Sequence, residues 1–161
     1  MAKAEAGEKE DKREYLKARK IERGIVLDHV PGGRSFLVLR LLGVGEDFPG
    51  SITLLTNIPS SQYGLKDLIK IEGKEFSKKE LEKLAVLSPY ITVNVIRDYQ
   101  VAEKFRVSLP DTLTDFLDCC PNENCISNSE KRFKFHVEER DPVKLRCAYC
   151  EQVFTEKDLL H

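Results

Sequence analysis

Four cysteines of this chain stand in two close pairs. Cys120 and Cys125 are separated by four residues, Cys147 and Cys150 by two, and 21 residues lie between the pairs. Each short spacing suits a turn that presents two thiolates together, and two such turns supply the four ligands of a tetrahedral metal. A set of four thiolates fills the coordination sphere, which makes the metal structural and leaves no position for water or substrate. Zinc is the expected ion, a single one; iron fits the same sulfurs, so a rubredoxin-like electron carrier stays open on spacing alone. Pro121 directly after Cys120 favours Cys120 over Cys119 as the ligand, and Cys119 is expected to be a small buried apolar side chain. The count of five cysteines is odd, all lie after residue 118, and no export signal precedes them. Disulfides are therefore the weaker explanation.

The residues that must carry these pairs are limited in number. At 161 residues and 41% hydrophobic content, the chain can build one domain of ordinary size or two small ones. The longest apolar runs, such as "FLVL" at 36–39 and "ITLL" at 52–55, fall far short of the ~20 residues that cross a bilayer. The first twenty residues are charged throughout. A soluble, cytoplasmic chain with no membrane partner is the expectation. The net charge of −1 divides unevenly: +2 over 1–20, +1 over 21–107 and −4 over 108–161. Nucleic-acid binding by the cysteine region would call for a basic stripe, because phosphate neutralisation supplies most of such affinity. The acidic balance points to a protein partner. Charged residues make up 33%, ample for surface ion-pair networks of the thermophilic kind.

The chain divides by pattern into three parts. Residues 1–19 carry mixed charge and no apolar face, which predicts a disordered or loosely helical extension. Over 20–107, "IERGIVLDHV" reads as a strand ended by the "PGG" turn, "SITLLTNI" as a strand closed by "PSS", and "KDLIKIEG" as a strand stopping at Gly73. "RSFLVLRLLGV" fits helix or strand, because its apolar run is nearly continuous. "SKKELEKLAVL" is a helix: Ser77 and Glu80 form a capping box, Leu81, Leu84 and Ala85 share a face, and Pro89 ends it. "ITVNVIRDYQVAEKFRV" gives two strand-like pieces about a turn near Arg97–Asp98. With "RSFLVLRLL" as a helix, the order is βαββαβ, a ferredoxin-like antiparallel sheet with two helices, in the α+β class. "SLPDTL" marks a boundary, and 108–161 forms a small all-β zinc-ribbon-like domain that needs its metal as a staple.

Six stretches, in order, resemble the regulatory chain of aspartate carbamoyltransferase: "RGIVLDHV" at 23–30, "KDLIKIEG" at 66–73, "ITVNVIRDYQV" at 91–101, "SLPD" at 108–111, "CPNENCIS" at 120–127 and "LRCAYCE" at 145–151. The resemblance implies a non-catalytic subunit of pyrimidine biosynthesis with an allosteric nucleotide-binding domain and a zinc domain that docks on the catalytic chain. It implies CTP, often with UTP, as inhibitor and ATP as activator. It also implies homodimers of regulatory chains in a complex of two catalytic trimers and three regulatory dimers. Carried over by motif, the nucleotide site comprises Val26, Asp28, His29, Lys66, Lys70, Asn94, Ile96, Tyr99, Val101 and Lys104. Asn122, Asn124 and Glu151 are implied contacts to the catalytic chain.

Each of these residues also has an ordinary reading. Lysines from separate strands suit a polyanion of about four charges, but lone strand lysines are usually just solvated. Tyr99 and Val101 are by default core. Asn94 can satisfy backbone at a kink, and Asn122 and Asn124 can simply shape a turn. Asp28 and His29 are neighbours on a strand, so both reach one ligand only if the strand twists or ends there. The long charged extension and Lys20 depart from the family pattern. No Gly-rich phosphate loop is present, since "GVGEDFPG" fits none, and no nucleophile–base set or convergent carboxylate pair suggests an enzyme.

Overall fold

The computed structural model describes residues 20–62 and 64–160; the extension predicted for 1–19 lies outside them. The elements run β1 (Gly24–Pro31), α1 (Ser35–Leu41), β2 (Ser51–Ser60), β3 (Gly64–Glu72), α2 (Lys78–Glu82), a 3-10 turn (Lys83–Val86), β4 (Thr92–Arg97) and β5 (Gln100–Arg106). They build an antiparallel sheet in the order β2-β3-β1-β4-β5. Ile25, Leu27, Val30, Ile69, Ile71 and Val93 alternate onto one face, where Val38 and Leu39 of α1 and Leu81, Leu84 and Ala85 cover them. Each such side chain, fully removed from water, contributes about 1.5–3 kcal/mol. Among the described residues, no helix covers the opposite face.

The βαββαβ order is present with a fifth strand added. Asp98 and Tyr99 both take positive φ, 51° and 64°, the geometry a two-residue hairpin needs to match strand twist. That turn returns the chain as β5 along the edge. The Ser77 capping box forms as expected, with Glu80 N donating to Ser77 Oγ and Ser77 N to the Glu80 carboxylate. One reading from sequence needs correcting: "PSS" does not close β2, which continues through Pro59 to Ser60. β2 is an edge strand, where a proline forfeits no interior ladder bond.

The second sheet comprises β6 (Thr112–Thr114), β7 (Lys134–Arg140), β8 (Val143–Cys147) and β9 (Val153–Thr155), hydrogen-bonded in that order. Two short helices accompany it, α3 (Ile126–Glu130) and α4 (Glu156–Leu159). Phe133, Phe135, Leu145, Phe154, Cys120, Cys125 and Cys147 form a second core. The two cores meet. Val86 from the 3-10 turn belongs to the second core, and Leu37 and Leu41 of α1 pack against it. Arg34 pairs with Glu156 at 3.1 Å across the junction, and within the second part Arg140 donates to Leu109 O and pairs with Asp111. A cleft of about 1030 Å³ opens between Leu41 and Leu42, Lys83, and the stretch 116–121, with Cys119 on its wall. No described helix is long and apolar enough to cross a membrane.

Candidate functional site

The cysteine pairs sit where two loops face each other. In the first, Cys125 ends the loop and begins α3, its N–H bonded to Asn122 O at 2.9 Å. Asn128, one turn into α3, accepts from Cys120 N at 2.7 Å through Oδ1 and donates through Nδ2 to Cys120 O and Asn122 O. In the second, Cys147 ends β8, and Glu151 N returns to Cys147 O at 3.0 Å with Glu151 in the left-handed region. The sulfurs of Cys120, Cys125, Cys147 and Cys150 lie within 4.8 Å of one another. Two of the separations are 3.9 Å, Cys120 to Cys150, and 3.8 Å, Cys125 to Cys147. Zinc–sulfur bonds of 2.3 Å in a tetrahedron require edges of about 3.8 Å. The spacing fits a metal and is far too long for disulfides.

Charge explains why these sulfurs need a cation. Burial pushes the Cys120 and Cys147 thiols up, because each thiolate would leave water without compensation. Cys125 is raised by burial too, but hydrogen bonding by the Ser127 hydroxyl, 3.0 Å away, and backbone brings it down to about 7. A divalent ion held by Cys120, Cys125, Cys147 and Cys150 would supply the missing compensation and favour the thiolates. Cys119, expected to be buried, is exposed. Its neighbour's sulfur turns into the cluster, so its own side chain is directed to the cleft.

On the open face of the first sheet, strand register gathers the predicted residues. Thr53, Lys70, Val26, Asn94 and Lys104 follow one another across five strands in a single row of partners. A second row joins Asp28, Thr92 and Arg106. Ile96 and Val101 pair in a third. Asp28 and His29 meet the condition set for them by a β-bulge: between Leu27 and Val30 the register shifts, His29 adopts φ 57°, and its Nδ1 lies 3.2 Å from Thr92 Oγ1. Two successive residues thus face outward while Leu27 and Val30 stay in the core. Lys66 Nζ donates to Asp28 Oδ1 at 2.9 Å. Burial opposes the Asp28 charge, yet Lys66 and the His29 N–H hold its carboxyl below the usual range. Tyr99 and Val101, read as core by default, are 57% and 58% exposed. Tyr99 occupies the hairpin turn and Val101 an edge strand, so among the described residues neither has a second layer over it.

The two sites differ in kind, one a buried thiolate cluster and the other a polar, cation-bearing sheet face. Comparison with known families accounts for both halves together. Residues 16–108 match the family model described as aspartate carbamoyltransferase regulatory chain, allosteric domain. Residues 111–160 match its metal binding domain. The chain belongs to the aspartate carbamoyltransferase regulatory chain family. It is 43% identical over 147 residues to the regulatory chain of Thermococcus kodakarensis, covering 91% of this chain and 96% of that one. The Pyrococcus abyssi regulatory chain is 44% identical over 147 residues, covering 90% and 96%. That of Methanocaldococcus jannaschii is 41% identical over 144 residues, covering 89% and 95%.

As an aspartate carbamoyltransferase regulatory chain, the protein is a non-catalytic subunit with an allosteric and a metal-binding part, and its partner is a catalytic chain. The four-cysteine cluster lies in the part matched by the metal binding domain and could hold its ion. Of the implied partner contacts, Asn124 and Glu151 are exposed, whereas Asn122 is half-buried and accepts from Asn124 N at 3.2 Å, shaping the loop. Sequence reasoning passed over Asn128, which braces the first cysteine loop, and Thr92, which joins His29 on the open face. Asn128 had a legible signal: a short amide three residues beyond Cys125, on a helix, can turn back to the loop.

Proposed function

We propose that the chain binds nucleotides on the open face of its first sheet and, through a zinc-closed second part, holds and regulates catalytic trimers. In this reading residues 20–107 form the allosteric domain and 108–161 the docking domain. CTP and ATP, with UTP as a further effector, compete for one pocket. Lys66, Lys70 and Lys104 meet the phosphates. Val26, Ile96 and Val101 flank the base, with Tyr99 at the rim. Asp28, His29 and Asn94 read polar edges of base and sugar. Cys120, Cys125, Cys147 and Cys150 hold one zinc, and Asn122, Asn124 and Glu151 contact the catalytic chain. Regulatory chains pair as homodimers, three of which join two trimers in the cytoplasm.

The observation that carries this reading is the row Lys70, Val26, Asn94, Lys104: two cations flank an apolar residue and an amide on one sheet face. A nucleotide presents phosphate, flat apolar ring and polar edge at that scale. Its effect on the partner can equal only its differential affinity for two states of the assembly, so CTP and ATP must contact the shared pocket differently. The test mixes the purified chain with a matched catalytic trimer, with and without a thiol-reactive zinc stripper, and measures mass by light scattering. A large complex that dissociates on metal loss and binds CTP and ATP competitively is the expected result. No complex with intact metal defeats the docking reading, and no nucleotide binding defeats the effector reading.

A further inference from the structure

The cleft of about 1030 Å³ lies away from the open sheet face and only borders the cysteine cluster, through Cys120. Its lining combines apolar side chains, Leu41, Phe116 and Leu159 among them, with charges of opposite sign on its two sides. The first part contributes Arg40, Lys74 and Lys83 against the single carboxylate of Glu80; the second contributes Asp118, Glu123 and Asp158 against the single ammonium of Lys131. Some of these charges are engaged locally. Glu80 accepts from Ser77 N at 2.8 Å and pairs with Lys74 at 3.7 Å, and Asp158 accepts from Thr155 N at 2.9 Å. Lys83, Lys131, Asp118 and Glu123 enter no ion pair among the described residues. A groove with an apolar lining and unpaired charges of both signs suits an occupant that carries both signs itself.

The chain contains such a segment. Residues 1–19 hold six basic and five acidic residues. At helical spacing, Lys9, Arg13 and Lys17 fall on one side and Glu8, Asp11 and Tyr15 on the other. The described fold also starts beside the cleft. Gly73 N donates to Arg23 O at 3.0 Å, and the next residue, Lys74, lines the cleft. Ile21 is buried and Glu22 O accepts from Tyr99 N at 3.1 Å, so the tether is anchored directly after residue 20. Nineteen residues reach at most about 60 Å when extended and about 28 Å as a helix, ample for a cavity of this size.

We propose that residues 1–19 dock back into this cleft, paired by charge with Lys83, Lys131, Asp118 and Glu123, and there cover Cys119 and the outer side of the loop that begins at Cys120. Each exposed ion pair adds little by itself. A tethered segment, however, is present at an effective concentration in the millimolar range, so a weak set of pairs is enough to hold it. Its effect is protective: Cys119 is an exposed thiol next to a cysteine of the cluster, and a docked segment keeps oxidants and stray metal ions from it.

Cys119 itself is the reporter. The full, metal-loaded chain is treated with iodoacetamide, an uncharged reagent, and alkylation of Cys119 is timed by mass spectrometry; Cys120, Cys125, Cys147 and Cys150 staying unmodified shows that the second part is intact. Two charge-reversed chains are compared with the wild type, Glu8→Lys with Asp11→Lys and Lys9→Glu with Arg13→Glu. Both pairs of changes lie far from Cys119 in sequence and outside the two cores. At low salt the wild type should react about fivefold more slowly than either variant, as expected when the effective concentration exceeds the docking constant several times. At about 1 M salt, where the screening length falls to about 3 Å, the three rates should converge. Equal rates at low salt overturn the docking, and a difference that persists at high salt overturns its pairing by charge. Wild-type protection that grows with protein concentration also overturns it, because the cleft then takes a second copy of the chain.

Discussion

The metal centre and the open sheet face assemble their ligands by opposite means. Four sulfurs come from two turns, each fixed by a few residues of chain, and their thiolate charge would need a cation to offset it. Lys70, Val26, Asn94 and Lys104 come from four strands and stay together because the ladder beneath them is held by an apolar core. A site made of turns depends on its ligand for its fold; a site made of register does not. Damage should therefore be cooperative in the first and residue by residue in the second.

The largest effect expected from this contrast is removal of the metal, or Cys147→Ser. Loss of a binding free energy on the order of 10 kcal/mol should unfold the second core. The first sheet should persist, with its amides still protected from exchange. A single melting step for both would break the contrast.

Asp67, buried on β3, accepts hydrogen bonds from Gly33 N, Ser35 N, Ser35 Oγ and Asn57 N, and Asp67→Asn should cost about 2–4 kcal/mol because that acceptor loses its charge. The pH dependence has a definite sign. The folded pKa of Asp67 lies below its unfolded value, so its stabilisation is complete above that value, about pH 4, and is lost as pH falls through the folded pKa. Urea midpoints measured from pH 6 down to pH 2 should fall less steeply in the variant. The smallest change in stability belongs to Lys104→Ala, on an exposed edge strand: an unchanged urea midpoint, with CTP affinity in titration calorimetry about tenfold weaker. A shifted midpoint there would mean that the open face also supports the fold.

The same contrast governs how much could be read in advance. The metal ligands were legible because turn geometry maps directly to sequence spacing. The open face was not, since register across strands leaves no local mark; its lysines stood out only through resemblance to a family. "FLVLRLL" resisted assignment between helix and strand for a physical reason now visible. A helix seated between two cores is apolar on both sides and loses the periodicity that a surface helix displays. Asp67 did carry a local signal, being a charge in phase with Ile69 and Ile71 on the inward side of its strand. The default core reading of Tyr99 and Val101 and the buried expectation for Cys119 fail for one reason: hydrophobic type does not dictate burial, and a turn, an edge and the residue beside a cluster cysteine each leave such side chains uncovered.

The bulge in β1 separates two kinds of change that ordinarily go together. Asp28 and His29 stand opposite the single residue Leu68, and the strand is in phase with the core on either side, at Leu27 and at Val30. Excising the His29 codon would therefore yield a regular strand with the same residues facing inward, and restoring it would return an imidazole to the outer surface. A lineage can edit the chemistry of that surface by one triplet without repacking anything beneath it.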